Sequence, residues 1–264
     1  EIRVGDIFEQ QQFLAAVVED AAGDRTRPNL KIQDGCNNRC SFCIIPYVRG
    51  KSRSLRPDEV VRETRALVGL GYKEIVLSGI NLGRWGKDIT PLGRFEKVAP
   101  HVSAGNSVAF ETESGFSPTA RLRFADLLRA ILAETDIAKI RISSVEPMDW
   151  SDDLIELVAS SPRICKHAHV PLQSGSDRIL RKMHRRYRPW HYADRIRKIR
   201  AAMPAAAIGA DVMAGFPGET DDEFEETRAF IDSLPFTYLH VFTYSSRPGT
   251  PSASMPNQIR GIGR

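Results

Sequence analysis

Three of the four cysteines of the 264-residue chain lie close together, in the segment QDGCNNRCSFCIIPYVRG at residues 33–50. They are Cys36, Cys40 and Cys43. Thiols so close along the chain do not suit a structural disulfide framework, and crowded cysteines indicate a reducing compartment where thiols are kept for chemistry. This spacing suits ligands of a metal ion or of an iron–sulfur cluster.

Two interpretations of these thiols are open. A structural zinc site needs four protein ligands, and the fourth would come from RICKHAHV, which holds Cys165, His167 and His169. A [4Fe–4S] cluster bound by three cysteines would instead leave one iron free to bind another molecule. The pattern CxxxCxxC resembles the signature of the radical S-adenosylmethionine (SAM) superfamily. Phe42 resembles the aromatic residue that lies near the SAM adenine in that superfamily.

Strand and helix patterns alternate from Asn29 onward. The strand candidates are mostly apolar without clean alternation, which is typical of parallel strands buried on both faces. The helical segments between them carry end signals, such as Pro57 at a first helical position and a capping box at Thr220 and Glu223. Six such units predict an α/β fold, a partial (β/α)6 TIM-type barrel with its active site at the C-terminal strand ends. The predicted strands are 30–33, 74–78, 139–144, 167–172, 207–213 and 238–244.

Polar residues and glycines follow the predicted strands, where barrel enzymes bind their ligands. Glycine lets a ligand approach the backbone, and Gln, Ser and Glu side chains can bind ribose hydroxyls and the amino-acid end of SAM. Turn or helix-cap chemistry explains any one of them, but five clusters at equivalent positions favour a ligand site. The expected SAM-binding residues, besides Phe42, are Gly79, Asn81, Ser143, Glu146, Gln173, Ser174, Asp211 and Gly215.

Two basic runs leave the predicted rim of the barrel, one after the cysteines and one after the fourth strand. Solvated helix faces often have this composition, and the net charge of +4 is mild. Their position beside aromatic residues nevertheless suits a phosphate backbone. We expect Arg49, Arg53, Arg185 and Arg186 to contact a substrate RNA.

Longer segments resemble the methylthiotransferases, radical SAM enzymes that insert sulfur and a methyl group into a substrate C–H bond. The segments are QDGCNNRCSFCIIPYVRG, PLQSGSDRILRKM, DVMAGFPGETDDEFEET and YSSRPGTP. Among three substrate types, IVLSGINLGRWG and IRISSVEP most resemble the type that acts on threonylcarbamoyladenosine in tRNA. The other two act on isopentenyladenosine in tRNA and on an aspartate of a ribosomal protein.

This resemblance implies that Cys36, Cys40 and Cys43 hold a [4Fe–4S] cluster and that the strand-end residues bind SAM. A 5′-deoxyadenosyl radical would then take hydrogen from C2 of adenosine 37, beside the tRNA anticodon. The implied product is 2-methylthio-N6-threonylcarbamoyladenosine. The resemblance also implies a cytoplasmic transferase that uses flavodoxin or ferredoxin as electron donor and does not associate with a membrane.

Full-length members of that family carry an N-terminal domain with three further cysteines for a second [4Fe–4S] cluster, and commonly a C-terminal RNA-binding β-barrel. No cysteine precedes Cys36. We therefore expect residues 1–28 to be a linker, 29–250 the radical SAM core with a flexible insert at 90–120, and 251–264 a tail toward the RNA-binding domain. Such a core would form 5′-deoxyadenosine without completing methylthiolation. The alternative from another class is a zinc-stabilised RNA-binding module without catalysis.

Overall fold

The computed structural model describes residues 26–89 and 122–259, together with Ile7, Glu9 and Phe13. The insert predicted at 90–120 and most of the linker predicted at 1–28 lie outside the described residues. Among the helices of the described segments, none has the length and apolar character needed to span a membrane.

Strands and helices alternate along the described chain as the sequence predicts. The strands are β1 (Asn29–Asp34), β2 (Arg53–Ser54), β3 (Glu74–Gly79), β4 (Lys139–Ile142), β5 (His167–His169), β6 (Ala207–Ala214) and β7 (Tyr238–Thr243). The helices are α1 (Ile45–Val48), α2 (Pro57–Gly69), α3 (Phe124–Glu134), α4 (Asp152–Ser160), α5 (Asp177–Lys182), α6 (Pro189–Ala202) and α7 (Asp221–Asp232).

The strands form two sheets, in the orders β2-β1-β3-β4 and β5-β6-β7. Within them β1, β3 and β4 are parallel, and so are β5, β6 and β7. The sheets meet where Val145 donates its N–H to the carbonyl of His169 at 3.1 Å and where Ile140 bridges Ile164. Six parallel strands thus follow one another around an open curve, and the predicted partial barrel is confirmed.

The short strand β2 is absent from the sequence prediction. It pairs antiparallel with the end of β1, with Ser54 opposite Gln33 and Arg53 opposite Asp34. A two-residue strand has no hydrophobic period of its own, so only this tertiary pairing defines it. The pairing returns the chain to the end of β1. The cysteines therefore lie in a loop whose two ends are both held at the edge of the sheet.

The helices cover the outer face of the strands and bury one continuous apolar core. Predicted helix ends are found where expected, since Pro57 is the first residue of α2 and Thr220 and Glu223 form the capping box of α7. Trp85 is fully buried and donates its indole N–H to the carbonyl of Leu55 at 2.9 Å. This bond attaches the segment after β2 to the core.

The segment that follows residue 250 packs on the core as far as the structure describes it. Ser252 is fully buried, donates its N–H to the carbonyl of Ser41 at 2.9 Å and accepts a bond from the Tyr244 hydroxyl at 3.0 Å. Farther along, the carbonyl of Asn257 accepts the N–H of Gly218 at 2.9 Å. Hydrogen bonds rather than an apolar pattern hold this segment, which is why sequence periodicity misses it.

Candidate active site at the cysteine loop

The cysteine loop, which we define as residues 35–44, begins directly at the C-terminal end of β1. Gly35 makes the turn with φ +68°, and a Cβ there would lie 2.0 Å from the carbonyl oxygen of Lys51. Only glycine tolerates this conformation and this close approach. The next residue, Cys36, donates its N–H to the carbonyl of Gly50 at 3.1 Å. The first predicted thiol is therefore placed at the barrel end where the sequence puts the active site.

The loop is also fixed from its other side. Ser41 is fully buried between Cys40 and Phe42 and donates its hydroxyl to the carbonyl of Lys182 at 2.7 Å. Its N–H is bonded to the carbonyl of Met183 at 3.1 Å. The C-terminal end of α5 thus holds the middle of the loop, so its shape does not depend on the thiols alone.

The three sulfur atoms of the loop do not form the tight set that a single zinc ion requires. Thiolates on one zinc ion, each about 2.3 Å from the metal, lie roughly 3.8 Å apart. Among the residues that the structure describes, Cys36, Cys40 and Cys43 are not a set whose ligand atoms all lie within 4.8 Å of one another. Cys165 lies 4.0 Å from the carboxylate of Glu74, the first residue of β3, at the opposite strand end. Cys165 is therefore placed away from the other three thiols, and three soft donors on one loop fit an iron–sulfur cluster.

The thiols are free and only partly exposed. Burial raises the pKa of Cys36, opposed by hydrogen bonds from the Asn38 N–H and the Asn81 side chain, while a charged Cys40 adds to the increase. Burial likewise raises the pKa of Cys43. Three thiolates in this loop need positive charge nearby, which iron supplies in a cluster because metal ions displace thiol protons.

A buried guanidinium provides part of that positive charge. Arg185 is 7% exposed, and its Nη1 donates to the sulfur of Cys40 at 3.2 Å. Its Nη2 donates to the carboxylate of Glu146, and its Nε to the hydroxyl of Tyr187 at 3.1 Å. Burial opposes the charge on Arg185, yet its partners hold the pKa of the guanidinium well above its usual value. The Tyr187 hydroxyl in turn donates to the carbonyl of Leu172 at 2.6 Å.

A buried amide connects the loop with the next strand end. Gln33 is fully buried and its Nε2 donates to the carbonyls of Asp34 and Gly35, each at 2.8 Å. Its Oε1 accepts the N–H of Asn81 at 2.7 Å, and the Asn81 side-chain amide lies 3.6 Å from the sulfur of Cys36. Gln33 was not among the predicted site residues. Its signal was a polar residue at the end of a predicted strand, directly before the cysteine loop.

Several residues predicted to bind SAM lie close to the loop. Phe42 packs against the buried cluster of Ile179, Met183 and Phe216, and Gly215 precedes Phe216 with φ +78°. Glu146 and Cys40 line one open cavity, and Asn81 lines a second; Asn38 and Arg186 contribute to both. The structure therefore brings Phe42, Asn81, Glu146 and Gly215 around the cysteines.

Other predicted ligand residues are engaged in the fold. Ser174 is fully buried. Its hydroxyl lies 3.1 Å from the hydroxyl of Thr227 and accepts the N–H of Ser176. Gln173 has φ +70° and bonds to β6 through its backbone, and Gly79 packs against Gln33. A role of these residues, and of Ser143 after β4, in binding SAM stays a prediction. Asp211 faces two histidines in the barrel.

Two of the four arginines predicted to contact RNA, Arg53 and Arg185, are buried in the fold. Arg53 is 7% exposed and lies 3.6 Å from the carboxylate of Asp34, while Arg185 holds Cys40 and Glu146. Their charges serve the fold because the buried acids and thiols around them need cations. Arg49 and Arg186 are exposed beside the cysteine loop, as expected of RNA contacts.

We predict that Arg185→Met lowers the free energy of unfolding by about 3–5 kcal/mol, because it leaves the Glu146 carboxylate without its partner. The double variant Arg185→Met/Glu146→Met regains part of that loss. Arg181→Met, which breaks an exposed pair with Asp177, costs less than about 1 kcal/mol. Urea denaturation of the reduced, iron-free chain measures these variants and the single variant Glu146→Met. A double variant whose loss equals the sum of the single losses would contradict this coupling.

Comparison with known proteins agrees with this site. The family model of the radical SAM superfamily matches residues 30–231. Threonylcarbamoyladenosine tRNA methylthiotransferase MtaB of Bacillus subtilis is 42% identical over 237 residues, which are 89% of this chain and 46% of that protein. The tRNA-2-methylthio-N(6)-dimethylallyladenosine synthase 1 of Mycobacterium marinum is 42% identical over 230 residues, 87% of this chain and 40% of that protein. The chain thus spans less than half the length of these curated relatives.

The fold has its counterparts among solved structures. The radical S-adenosylmethionine methyltransferase TsrM of Kitasatospora setae, solved with cobalamin and a [4Fe–4S] cluster, matches with a TM-score of 0.62 at 16% identity. The match covers 86% of this chain and 38% of TsrM, and at this identity it concerns the fold alone. The family model, however, covers most of the sequence and includes the cysteine loop. The chain belongs to the radical SAM superfamily.

Proposed function

We propose that the chain is the catalytic core of a tRNA methylthiotransferase that modifies C2 of N6-threonylcarbamoyladenosine at position 37. The observation that carries the proposal is its 42% identity with a relative named for this activity, over 89% of the chain. The cysteine loop and the strand-end segments that resemble the family lie within the core. The second candidate substrate is dimethylallyladenosine, because a relative named for it is equally identical over 87% of the chain.

Cys36, Cys40 and Cys43 would hold a [4Fe–4S] cluster. When bound, this cluster and SAM supply one-electron cleavage of a carbon–sulfur bond, the hard step that the cofactors rather than the protein perform. The chain positions the thiolates and shields them from water. Arg185 donates a charge-assisted hydrogen bond to the sulfur of Cys40, which stabilises the thiolate and tunes its electron donation. The Asn81 amide acts in the same way on Cys36.

The surroundings of the loop suit SAM. Phe42 offers an aromatic surface for the adenine, next to Phe216 and the turn at Gly215. Glu146, at the end of β4, faces the cavity beside Cys40, where one carboxylate oxygen is held by Arg185. An acidic group at this position would bind a ribose hydroxyl or the ammonium group of SAM. Gly79 and Gln173 would then shape the strand ends through their backbone, and Ser174 through the hydrogen bonds of its hydroxyl with Thr227 and Ser176. Ser143 would follow the end of β4.

A polyanionic substrate suits the rim of the loop. Arg49, Arg84 and Arg186 surround the cysteine loop, and Lys87 lines the cavity next to Asn81. These cations would contact the backbone phosphates of the anticodon loop and leave the adenine free to enter the barrel. The same proposal places the enzyme in the cytoplasm, with flavodoxin or ferredoxin as electron donor. The second cluster, which would supply the sulfur, would lie on an N-terminal domain.

The proposed substrate is tested by nucleoside mass spectrometry of tRNA from cells with and without the complete gene. We expect 2-methylthio-N6-threonylcarbamoyladenosine to vanish without the gene, N6-threonylcarbamoyladenosine to accumulate, and a plasmid copy of the gene to restore the product. If the 2-methylthio derivative of dimethylallyladenosine is lost instead, dimethylallyladenosine is assigned as the substrate. Unchanged tRNA nucleosides would contradict both.

We predict that Arg49→Gln/Arg186→Gln weakens binding of an anticodon stem–loop RNA and reduces the slope of log K against log salt by about 2, one for each phosphate that is no longer neutralised. Filter binding at several salt concentrations measures the slope. The matched control is Arg228→Gln, an exposed arginine on α7 that is paired only at the surface with Glu225. Equal slopes for the double variant and the control would refute these RNA contacts.

A further inference from the structure

Two histidines and an aspartate converge inside the second half of the barrel, apart from the cysteine loop. His169 ends β5, Asp211 lies in the middle of β6, and His240 is its direct partner on β7. The residues that alternate with them on β6, Ala210 and Val212, are buried in the apolar core. The three ligand atoms all lie within 4.8 Å of one another, the one such group that the described residues form.

The spacing of these atoms matches the ligands of one metal ion. The Nε2 atom of His169 lies 3.2 Å from Oδ1 of Asp211, and the Nδ1 atom of His240 lies 3.3 Å from the same oxygen. Ligands about 2.0–2.2 Å from a tetrahedral zinc ion are separated from each other by roughly 3.3–3.5 Å. Both distances fit neighbouring corners of a metal tetrahedron, and the contact of His240 with Asp211 also has hydrogen-bond geometry.

His169 has an unpartnered nitrogen that points into this site. The residue is 8% exposed, and its Nδ1 lies 2.6 Å from the hydroxyl of Ser144. Its Nε2 is buried and has no hydrogen-bond partner, because the contact of this atom with the Asp211 carboxylate does not have hydrogen-bond geometry. Metal-binding histidines have this arrangement, in which the other ring nitrogen donates to a polar group and the lone pair is directed at the metal.

The site is charged and accessible. Asp211 supplies a carboxylate oxygen that faces the ring nitrogens of both His169 and His240. The side chain of His240 is 54% exposed, whereas that of Asp211 is 23% exposed. An ion can therefore enter from the open side of the barrel beside β7, where a further ligand would complete its coordination.

We propose that His169, Asp211 and His240 bind one divalent transition-metal ion, with Ser144 orienting His169. Two imidazoles and one carboxylate suit zinc or ferrous iron, whereas magnesium and calcium require oxygen ligands. The site goes beyond the proposed function and does not depend on the identity of the RNA substrate. It gives Asp211 a different role from the SAM contact expected from the sequence.

Equilibrium dialysis of the full chain against Zn²⁺ tests the site, after its cysteines have been loaded with iron and sulfide. We expect about one zinc per chain in addition to an unchanged iron content. His240→Ala and Asp211→Asn should abolish this binding, and Ser144→Ala should weaken it about 10–100-fold. His191→Ala, which removes an exposed histidine on α6, should bind as the unmodified chain does. An iron-loaded chain that binds no zinc, or a His240→Ala variant that binds as much zinc as the unmodified chain, would overturn the proposal.

A second measurement separates this site from the thiols. The variant Cys36→Ala/Cys40→Ala/Cys43→Ala, checked for folding by circular dichroism, is titrated with Co²⁺. We expect ligand-field bands and no sulfur-to-cobalt charge-transfer band. The ligand-field bands should disappear when the Asp211→Asn substitution is introduced into this variant. Absence of the bands, or bands that persist without the Asp211 carboxylate, would contradict the assignment.

Discussion

The buried charge of Arg185 is the constraint on which the cysteine loop depends. A guanidinium removed from water is stable only when its donors are paired, and here the pairs come from Cys40, Glu146 and Tyr187. Through Glu146 and Tyr187 the same side chain connects the ends of β4 and β5 with the loop after β1. One cation thereby fixes the distance between the thiols and the strand ends where a ligand would bind. It also lies beside the sulfur that must carry negative charge in a cluster.

The two halves of the barrel have different interiors. In the first half, Gln33 and Asn81 fix the cysteine loop by hydrogen bonds from the ends of β1 and β3. In the second half, the ring of Tyr238 lies over Gly209, where a Cβ would come within 2.1 Å of it, and stacks with His169 at 6.1 Å. The Tyr238 ring therefore lies against the group of His169, Asp211 and His240. The side-chain hydrogen bonds that hold the cysteine loop thus involve different residues from those of the proposed metal site.

The parts of the fold that sequence patterns predicted are those with local causes. Apolar runs identified the six parallel strands, and the cysteine spacing located the loop after the first of them. Residues whose roles arise from tertiary contacts were assigned less well. The basic run around Arg185 suggested a solvent-exposed RNA contact, because a sequence does not show that Glu146 folds against it. Ser252 and β2 were missed for the same reason, since both are defined by hydrogen bonds to distant segments.

The central claim is that Cys36, Cys40 and Cys43 bind a cluster that cleaves SAM. Its most direct test is anaerobic reconstitution of the chain with iron and sulfide, followed by dithionite, SAM and measurement of 5′-deoxyadenosine. We expect about four irons per chain and 5′-deoxyadenosine that is lost in Cys36→Ala but retained in Cys165→Ala. A chain that takes up no cluster, or 5′-deoxyadenosine that persists in Cys36→Ala, would contradict it.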